Sequence, residues 1–95
     1  MLRVVTRDMV FKVGDTVSHR ATRRNLIMAF DKRNGVMFEL NDTASDVFRL
    51  IDGRRSVGQI VSEICAEYDA DESVVFEDVV YIVNRFGEAG ILGEN

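Results

Sequence analysis

The sequence predicts a small α+β domain in which a three-stranded antiparallel sheet is followed by three helices. Up to about residue 40 the apolar residues alternate or form short runs, which is typical of strands, and beyond it they recur at helical spacing. No Pro-rich or Ser-rich linker separates the halves, and 95 residues bury one modest core. We therefore expect residues 1–95 to form a single domain whose halves are layers of one fold.

The first half is predicted to contain three strands. Residues 26–30 and 36–40 are apolar runs on either side of the segment DKRNG. The Asn34-Gly35 pair suits backbone positions with positive φ, and this predicts a hairpin. A further strand is expected at residues 16–21.

The last predicted strand has two different faces. Side chains alternate along a strand, so Val36, Phe38 and Leu40 share one face. Met37 and Glu39 share the other face, and we expect the first set to face the core. If this strand lies at the sheet edge, its free N–H and C=O groups are a template for an extended peptide.

The N-terminal segment has its own alternation at Met9, Phe11 and Val13. We expect residues 1–14 to pair with another segment or to pack as an extended arm. An exposed edge strand or such an arm also permits self-association, so a homodimer is one expected arrangement.

The first two predicted helices have clear start signals. Asn41 or Thr43 caps the first helix, which ends before Gly53. Ser56 and Gln59 have capping-box spacing and open the second helix. Its apolar positions follow the pattern i, i+3, i+4, i+7, i+8 and i+11 and are Val57, Ile60, Val61, Ile64, Cys65 and Tyr68.

The third predicted helix starts at Asp71 or Ser73 and ends before Gly90. Its apolar residues cover about half of its circumference and are Val75, Phe76, Val79, Val80, Ile82, Val83 and Phe86. Its polar side is mainly Glu77, Asp78, Asn84, Arg85 and Glu88. A helix outside a small core needs a stripe of only about 100°. The helix is therefore either central, contacting the sheet and both other helices, or part of its apolar arc lines an external groove.

The residue inventory argues against catalysis and metal binding. The single histidine, His19, lies in a predicted strand, and the single cysteine, Cys65, lies on the apolar stripe of the second helix. The sequence contains no glycine-rich phosphate-binding loop. We expect a protein that is not an enzyme and that holds no metal and no cofactor.

Composition also limits the expected cellular location of the protein and the expected classes of partner. The longest apolar runs are four or five residues, one cysteine forms no disulfide framework, and the first residues lack a signal-peptide apolar core. These features predict a cytoplasmic protein with no membrane partner. The chain has 12 basic and 16 acidic residues, a net charge of -4, so we expect no nucleic acid partner.

A winged-helix DNA-binding regulator is the alternative function, because three helices and a β-wing are its usual plan. A recognition helix should present Arg, Lys, Asn or Gln to the DNA. The third helix presents Arg85 among Glu77, Asp78 and Glu88, which disfavours this alternative.

Two segments resemble the PqqD family: FELNDTASDVFRLIDGRRSVGQIV and AEYDADESVVFEDVVYIVNRFGEAGIL. The shared pattern is a strand ending in Leu-Asn, a helix that starts with small residues, a turn of the Asp-Gly-Arg-Thr-Val type and a last helix followed by Gly-Ile or Gly-Leu. The resemblance spans residues 35–92. Its most specific part is residues 52–57, where Ser56 replaces the commoner threonine.

This resemblance implies a winged helix-turn-helix-like recognition element for ribosomally made, later modified peptides. Such a peptide chaperone binds the leader of a precursor peptide and presents it to a modifying enzyme, commonly a radical S-adenosylmethionine enzyme. The leader is expected to add as a strand beside residues 36–40 and to pack against the third helix. The implied peptide-binding residues are Val36, Met37, Phe38, Glu39, Leu40, Asp78, Val79, Ile82, Val83 and Phe86. Arg54 and Arg55 are candidates for contact with acidic leader side chains or with the enzyme.

Overall fold

The computed structural model describes residues 4–93 and confirms the predicted α+β plan. Within that range the elements are β1 (Lys12–Val13), β2 (Val17–Ala21), β3 (Ile27–Asp31), β4 (Val36–Glu39), α1 (Asp42–Leu50), α2 (Val57–Tyr68), α3 (Glu72–Glu88) and β5 (Leu92–Gly93). Strands β2, β3 and β4 form an antiparallel sheet in that order, and β1 pairs with β5 in a second, two-stranded sheet. In the described part of the chain β4 is therefore an edge strand.

The helix starts agree with the predicted caps. The Asn41 side chain accepts a hydrogen bond from the backbone N–H of Ala44 at 2.9 Å and begins α1. Ser56 and Gln59 form the complete capping box of α2. The Asp71 side chain caps α3. Each cap satisfies a backbone N–H that the first helical turn leaves unpaired, so these helix starts are encoded locally.

The β3–β4 hairpin has a different turn from the one that the Asn34-Gly35 pair predicts. Gly35 has a φ of +66°, whereas Asn34 is not in the left-handed region. The Asn34 side chain instead donates to the Asp31 carboxylate at 2.8 Å, and the backbone N–H of Arg33 donates to the same group at 3.0 Å. These hydrogen bonds, chiefly the one from Asn34, hold the pKa of the buried Asp31 below its ordinary value. The turn is thus organised around a carboxylate.

The described part of the predicted N-terminal arm is built into the fold. The backbone N–H of Val57 donates to the carbonyl of Met9 at 2.8 Å, and that of Gly58 donates to the carbonyl of Arg7 at 2.9 Å. Farther along, β1 pairs with β5 at the other end of the chain. The first three residues of the arm lie outside the described residues.

The helices cover one face of the three-stranded sheet, and the core lies between the helices and the sheet. The buried core side chains of these two layers are Ile27, Ala29, Leu40, Val47, Phe48, Ile51, Val57, Ile60, Val61, Ile64, Val75, Val79, Ile82, Val83 and Phe86. The Phe48 ring meets the Phe86 ring edge-on, with centroids 6.2 Å apart. This contact joins α1 to α3. Within residues 4–93 no helix is long and apolar enough to cross a membrane.

Two side chains depart from their expected faces. Val36 was expected to face the core, but it is 42% exposed because it lies at the hairpin end of β4. Asn84, assigned to the polar side of the third helix, is buried. Its side-chain amide donates to the carbonyl of Val80 at 3.0 Å, so the polar group is hydrogen-bonded inside the core.

Candidate functional site

A groove of about 640 Å³ lies between β4 and α3. Strand β4 and the start of α1 form one wall, and α3 with the segment that follows it forms the other. The lining residues are Met37, Phe38, Glu39, Leu40, Asn41, Thr43, Ala44, Asp78, Tyr81, Ile82, Arg85, Phe86, Ala89 and Ile91. Aliphatic and aromatic side chains thus lie in the groove beside a few polar groups.

The β4 wall presents to the groove side backbone groups that have no strand partner within residues 4–93. The backbone N–H of Leu40 donates to the carbonyl of Ile27 at 2.9 Å, in register with the rest of the β3–β4 ladder. Alternate residues of an antiparallel strand bond to the same neighbour, so Phe38 also bonds to β3. The backbone N–H and C=O groups of Met37 and Glu39 therefore point to the free edge.

The α3 wall has an apolar floor and a polar rim. Ile82 and Phe86 are buried and form the floor, whereas Tyr81 is 65% exposed. Asp78 and Arg85 are exposed at the rim. The Arg85 guanidinium is 3.7 Å from the Glu88 carboxylate, and because both groups are exposed this ion pair holds Arg85 only weakly. An occupant can therefore bury apolar side chains and meet charges of both signs.

The sequence-predicted site residues separate into two groups. Seven of the ten line the groove: Met37, Phe38, Glu39, Leu40, Asp78, Ile82 and Phe86. The structure places Val79 and Val83 in the core, at 0% and 2% exposure, because their side of α3 faces the protein interior. Val36 does not line the groove either. The role of this set in peptide binding stays a prediction.

Sequence reasoning missed Tyr81 and Arg85 on α3, Ala89 and Ile91 in the segment that follows it, and the contribution of α1. The helix period, counted from the predicted Asp78, contained a signal for two of them. Residues at spacings of three and four share a helix face, and Asp78, Tyr81 and Arg85 have those spacings. Tyr81 is the largest exposed side chain of this wall, and it lies next to the predicted Ile82.

Both explanations for the wide apolar arc of α3 apply to this helix. Val75, Val79 and Val83 are buried in the core, while Ile82 and Phe86 reach the groove. Helix α3 also contacts α1 and α2. The surplus of apolar surface is thus divided between the interior and the groove.

Comparison with known proteins identifies the family. The PqqD family, described as coenzyme PQQ synthesis protein D, matches residues 26–92. This chain belongs to the PqqD family. A PqqA binding protein from Xanthomonas oryzae pv. oryzae (strain KACC10331 / KXO85) is 33% identical over 90 residues, which cover 93% of this chain and 95% of that protein.

Solved structures share the same fold. The solution structure of the PqqD truncation of Methylobacterium extorquens PqqCD represents a functional, stand-alone recognition element for ribosomally synthesized and post-translationally modified peptides. It is 25% identical, with a TM-score of 0.79, and covers 96% of each chain. TbiB1 in complex with the TbiA(beta) leader peptide has a TM-score of 0.80 at 23% identity and covers 88% of this chain and 96% of that one. At this low identity, the similarity to TbiB1 shows a shared fold.

The turn that carries the most specific PqqD-family resemblance lies outside the groove. The Asp52 carboxylate accepts hydrogen bonds from the backbone N–H groups of Arg55 at 2.8 Å and Arg54 at 2.9 Å, which hold the pKa of Asp52 below its ordinary value. The Arg55 side chain also pairs with Asp52 at 2.9 Å and with Glu63 at 2.6 Å. Arg54 is exposed. The turn is therefore structural, and of its two arginines Arg54 is the one whose side chain is more available to a partner.

The other reactive side chains of this PqqD-family chain are dispersed. Among residues 4–93 no group of three or more His, Cys, Asp and Glu side chains is placed to hold a metal ion. The His19 ring meets Phe48 edge-on with centroids 5.0 Å apart, and Cys65 is half-buried on α2. Both side chains lie away from the groove.

Proposed function

We propose that this PqqD-family chain is a non-catalytic peptide-binding adaptor. It binds the leader of a ribosomally made precursor peptide by strand addition and presents the peptide to a modifying enzyme, with a radical S-adenosylmethionine enzyme as the expected class. The observation that carries the proposal is the combination of an open strand edge on β4 with an apolar groove between β4 and α3. An extended peptide uses both at once.

The main chain of the leader would set its register. Met37 and Glu39 each offer one N–H and one C=O to the free edge, which is enough for about four hydrogen bonds to an added strand. Each such bond contributes about 0.5–1.5 kcal/mol net, whatever the leader sequence. Backbone pairing therefore supplies binding that is tolerant of sequence.

Selectivity would come from side chains that enter the groove. Every second residue of the added strand points towards Phe38 on β4 and towards Ile82 and Tyr81 on α3. Burial of apolar surface there contributes about 25 cal/mol per Å². A flexible leader pays for its ordering on binding, which keeps the complex weak enough to release the peptide to an enzyme.

Several observations support a role in binding without catalysis. The described residues that line the groove include no histidine and no cysteine, and their charged groups, Glu39, Asp78 and Arg85, are exposed. The Xanthomonas relative is named a PqqA binding protein. We place the function in the cytoplasm, where ribosomes make the precursor.

The enzyme partner is expected to contact a surface that the leader leaves free. The recognition element from Methylobacterium extorquens is a truncation of PqqCD, so in that protein it is joined to another part. In the present chain the exposed Arg54 lies outside the groove and is a candidate contact. A homodimer formed through the edge of β4 would instead compete with the leader for the same backbone groups.

The test is binding of a synthetic PqqA peptide, the ligand for which the Xanthomonas relative is named, measured by fluorescence anisotropy. Tyr81→Ala removes the large exposed side chain of the α3 wall, and aromatic anchors of this kind often contribute about 2 kcal/mol, so we expect affinity to fall by about 10-fold or more. Tyr68→Ala is the matched control, because Tyr68 is 56% exposed on α2 and lies outside the groove. It should bind within about twofold of the unaltered protein.

Equal affinities for the two variants would contradict the proposed site. Salt-dependent binding of DNA through α3, with no binding of the leader, would favour the winged-helix regulator instead.

A further inference from the structure

The sheet face opposite the helices carries two rows of side chains that end at the open edge. The register of β2, β3 and β4 aligns Arg20, Met28 and Glu39 in one row. It aligns Ser18, Phe30 and Met37 in the neighbouring row. These residues alternate with the buried Ile27 and Ala29, so both rows lie on the outer face.

The first row ends in an unneutralised carboxylate. Glu39 is exposed and forms no ion pair with any residue in the range 4–93. The cation of its own row, Arg20, lies two strands away, on the far side of Met28. A fourth strand added to β4 would place its nearest outward-facing side chain directly beside Glu39.

The second row ends in exposed apolar side chains. Phe30 is 36% exposed and Met37 is 59% exposed, and with Met28 they line a shallow cleft of about 320 Å³. Met37 borders both this cleft and the groove beside α3. The outer face is therefore continuous with the groove at the edge of β4.

We propose that the outer sheet face forms a second half of the leader site and selects two leader side chains. A basic side chain, Lys or Arg, lies opposite Glu39, and an apolar side chain lies opposite Met37. This inference rests on the proposed strand addition.

The sheet geometry also gives the order of these side chains. The described sheet is entirely antiparallel, and an added strand that continues this pattern runs against β4. Its residue opposite Glu39 comes first, the residue opposite Phe38 follows and points into the groove, and the residue opposite Met37 comes third. The leader segment is thus basic, then groove-facing and apolar, then apolar on the outer face.

The pairing energies set the size of the expected selectivity. Cross-strand pairs of opposite charge are favoured by up to about 1 kcal/mol, and like charges directly opposite are disfavoured by a similar amount. At a sheet edge in water this corresponds to about a fivefold preference for Lys over Glu at the position opposite Glu39. Reversing the charge at residue 39 should reverse the preference.

The experiment uses a random 12-residue peptide library displayed on phage and selected on the unaltered full chain, on Glu39→Lys and on Glu67→Lys. Peptides that lose binding to Tyr81→Ala are taken as groove-dependent, and their composition is compared among the three selections. Synthetic peptides that differ only by Lys or Glu at the selected position are then titrated by fluorescence anisotropy. Glu67→Lys, an exposed site on α2 outside the groove, gives the same change in net charge as a control.

We expect the unaltered protein and Glu67→Lys to select Lys or Arg two positions before an apolar residue. Glu39→Lys should select Asp or Glu at that position, so that a preference of about fivefold for the Lys peptide becomes a preference of about fivefold for the Glu peptide. Groove-dependent peptides with the same composition in all three selections would overturn this inference and leave the proposed function standing. A library that yields no groove-dependent peptide would overturn the proposed function and this inference with it.

Discussion

Ser45 is a fully buried polar residue that joins α1 to β3 and to Leu40, the residue that follows β4. Its hydroxyl accepts a hydrogen bond from the backbone N–H of Ile27 at 2.9 Å and donates one to the carbonyl of Leu40 at 3.3 Å. Leu40 is the residue at which the groove wall passes from β4 towards α1. A single side chain therefore holds the first helix, and through it one end of the groove, against the sheet.

Ser45→Ala is expected to destabilise the fold by about 1–3 kcal/mol, because it leaves the buried Ile27 N–H without its partner. Chemical denaturation measures the free energy of unfolding. Ser62→Ala, at an exposed position of α2, is the control and should change that free energy by less than about 0.5 kcal/mol. Equal stabilities of the two variants would show that the Ser45 hydrogen bonds contribute nothing net.

At the scale of the element, β4 is a short edge strand whose alternate residues differ in their backbone pairing. Phe38 bonds to β3 and supports the fold, while the backbone groups of Met37 and Glu39 have no strand partner among residues 4–93. Natural edge strands usually block such groups to avoid aggregation. Accessible edge N–H and C=O groups beside an apolar groove are expected where an extended peptide binds to the edge.

Met37→Pro removes an N–H at the free edge without removing a hydrogen bond to β3. Proline is tolerated in an edge strand where the missing N–H faces outwards. We expect this variant to fold, with a circular dichroism spectrum like that of the unaltered protein. We also expect it to bind the leader at least about 10-fold more weakly, because the ring replaces a donor and blocks the approach of a strand. Met37→Ala keeps the backbone N–H and is the control for the loss of the side chain. Equal affinities of the Pro and Ala variants would count against strand addition.

Elements with local signals were predictable from the sequence, and the pairings between distant segments were not. The caps at Asn41, Ser56 and Asp71 depend on residues three or fewer positions away, so the helix starts agree with the structure. The pairing of β1 with β5 joins opposite ends of the chain through two-residue strands, and the alternation at residues 9–13 predicts a pairing without identifying its partner. The start of α2 donates backbone hydrogen bonds to the carbonyls of Arg7 and Met9, and no spacing pattern in the sequence indicates these contacts either.

The candidate site was partly predictable for the same physical reason. Alternation along β4 pointed to Met37 and Glu39, and the surplus of apolar residues on α3 pointed to Ile82 and Phe86. The division of the α3 arc between core and groove depends on how the helix is rotated against its neighbours. That rotation is set by tertiary packing, which the sequence pattern leaves open, and it places Val79 and Val83 in the core.

At the scale of the whole molecule, the helical layer supports the α3 wall of the groove. The Phe48–Phe86 contact fixes α3 against α1, and the N-terminal segment closes over the start of α2 through backbone hydrogen bonds. These contacts hold α3 at the distance from β4 that leaves the groove open. Within residues 4–93 the groove therefore lies between an edge strand and a helix that are both held by packing against the rest of the fold.

Amide hydrogen exchange of residues 37–39, with and without the leader peptide, tests the strand-addition claim most directly. In the free protein the amides of Met37 and Glu39 point to the open edge and should exchange quickly, while that of Phe38 is bonded to β3 and should exchange slowly. At saturating leader we predict that exchange at Met37 and Glu39 slows at least about 10-fold. Fast exchange at both amides in a saturated complex would contradict the account.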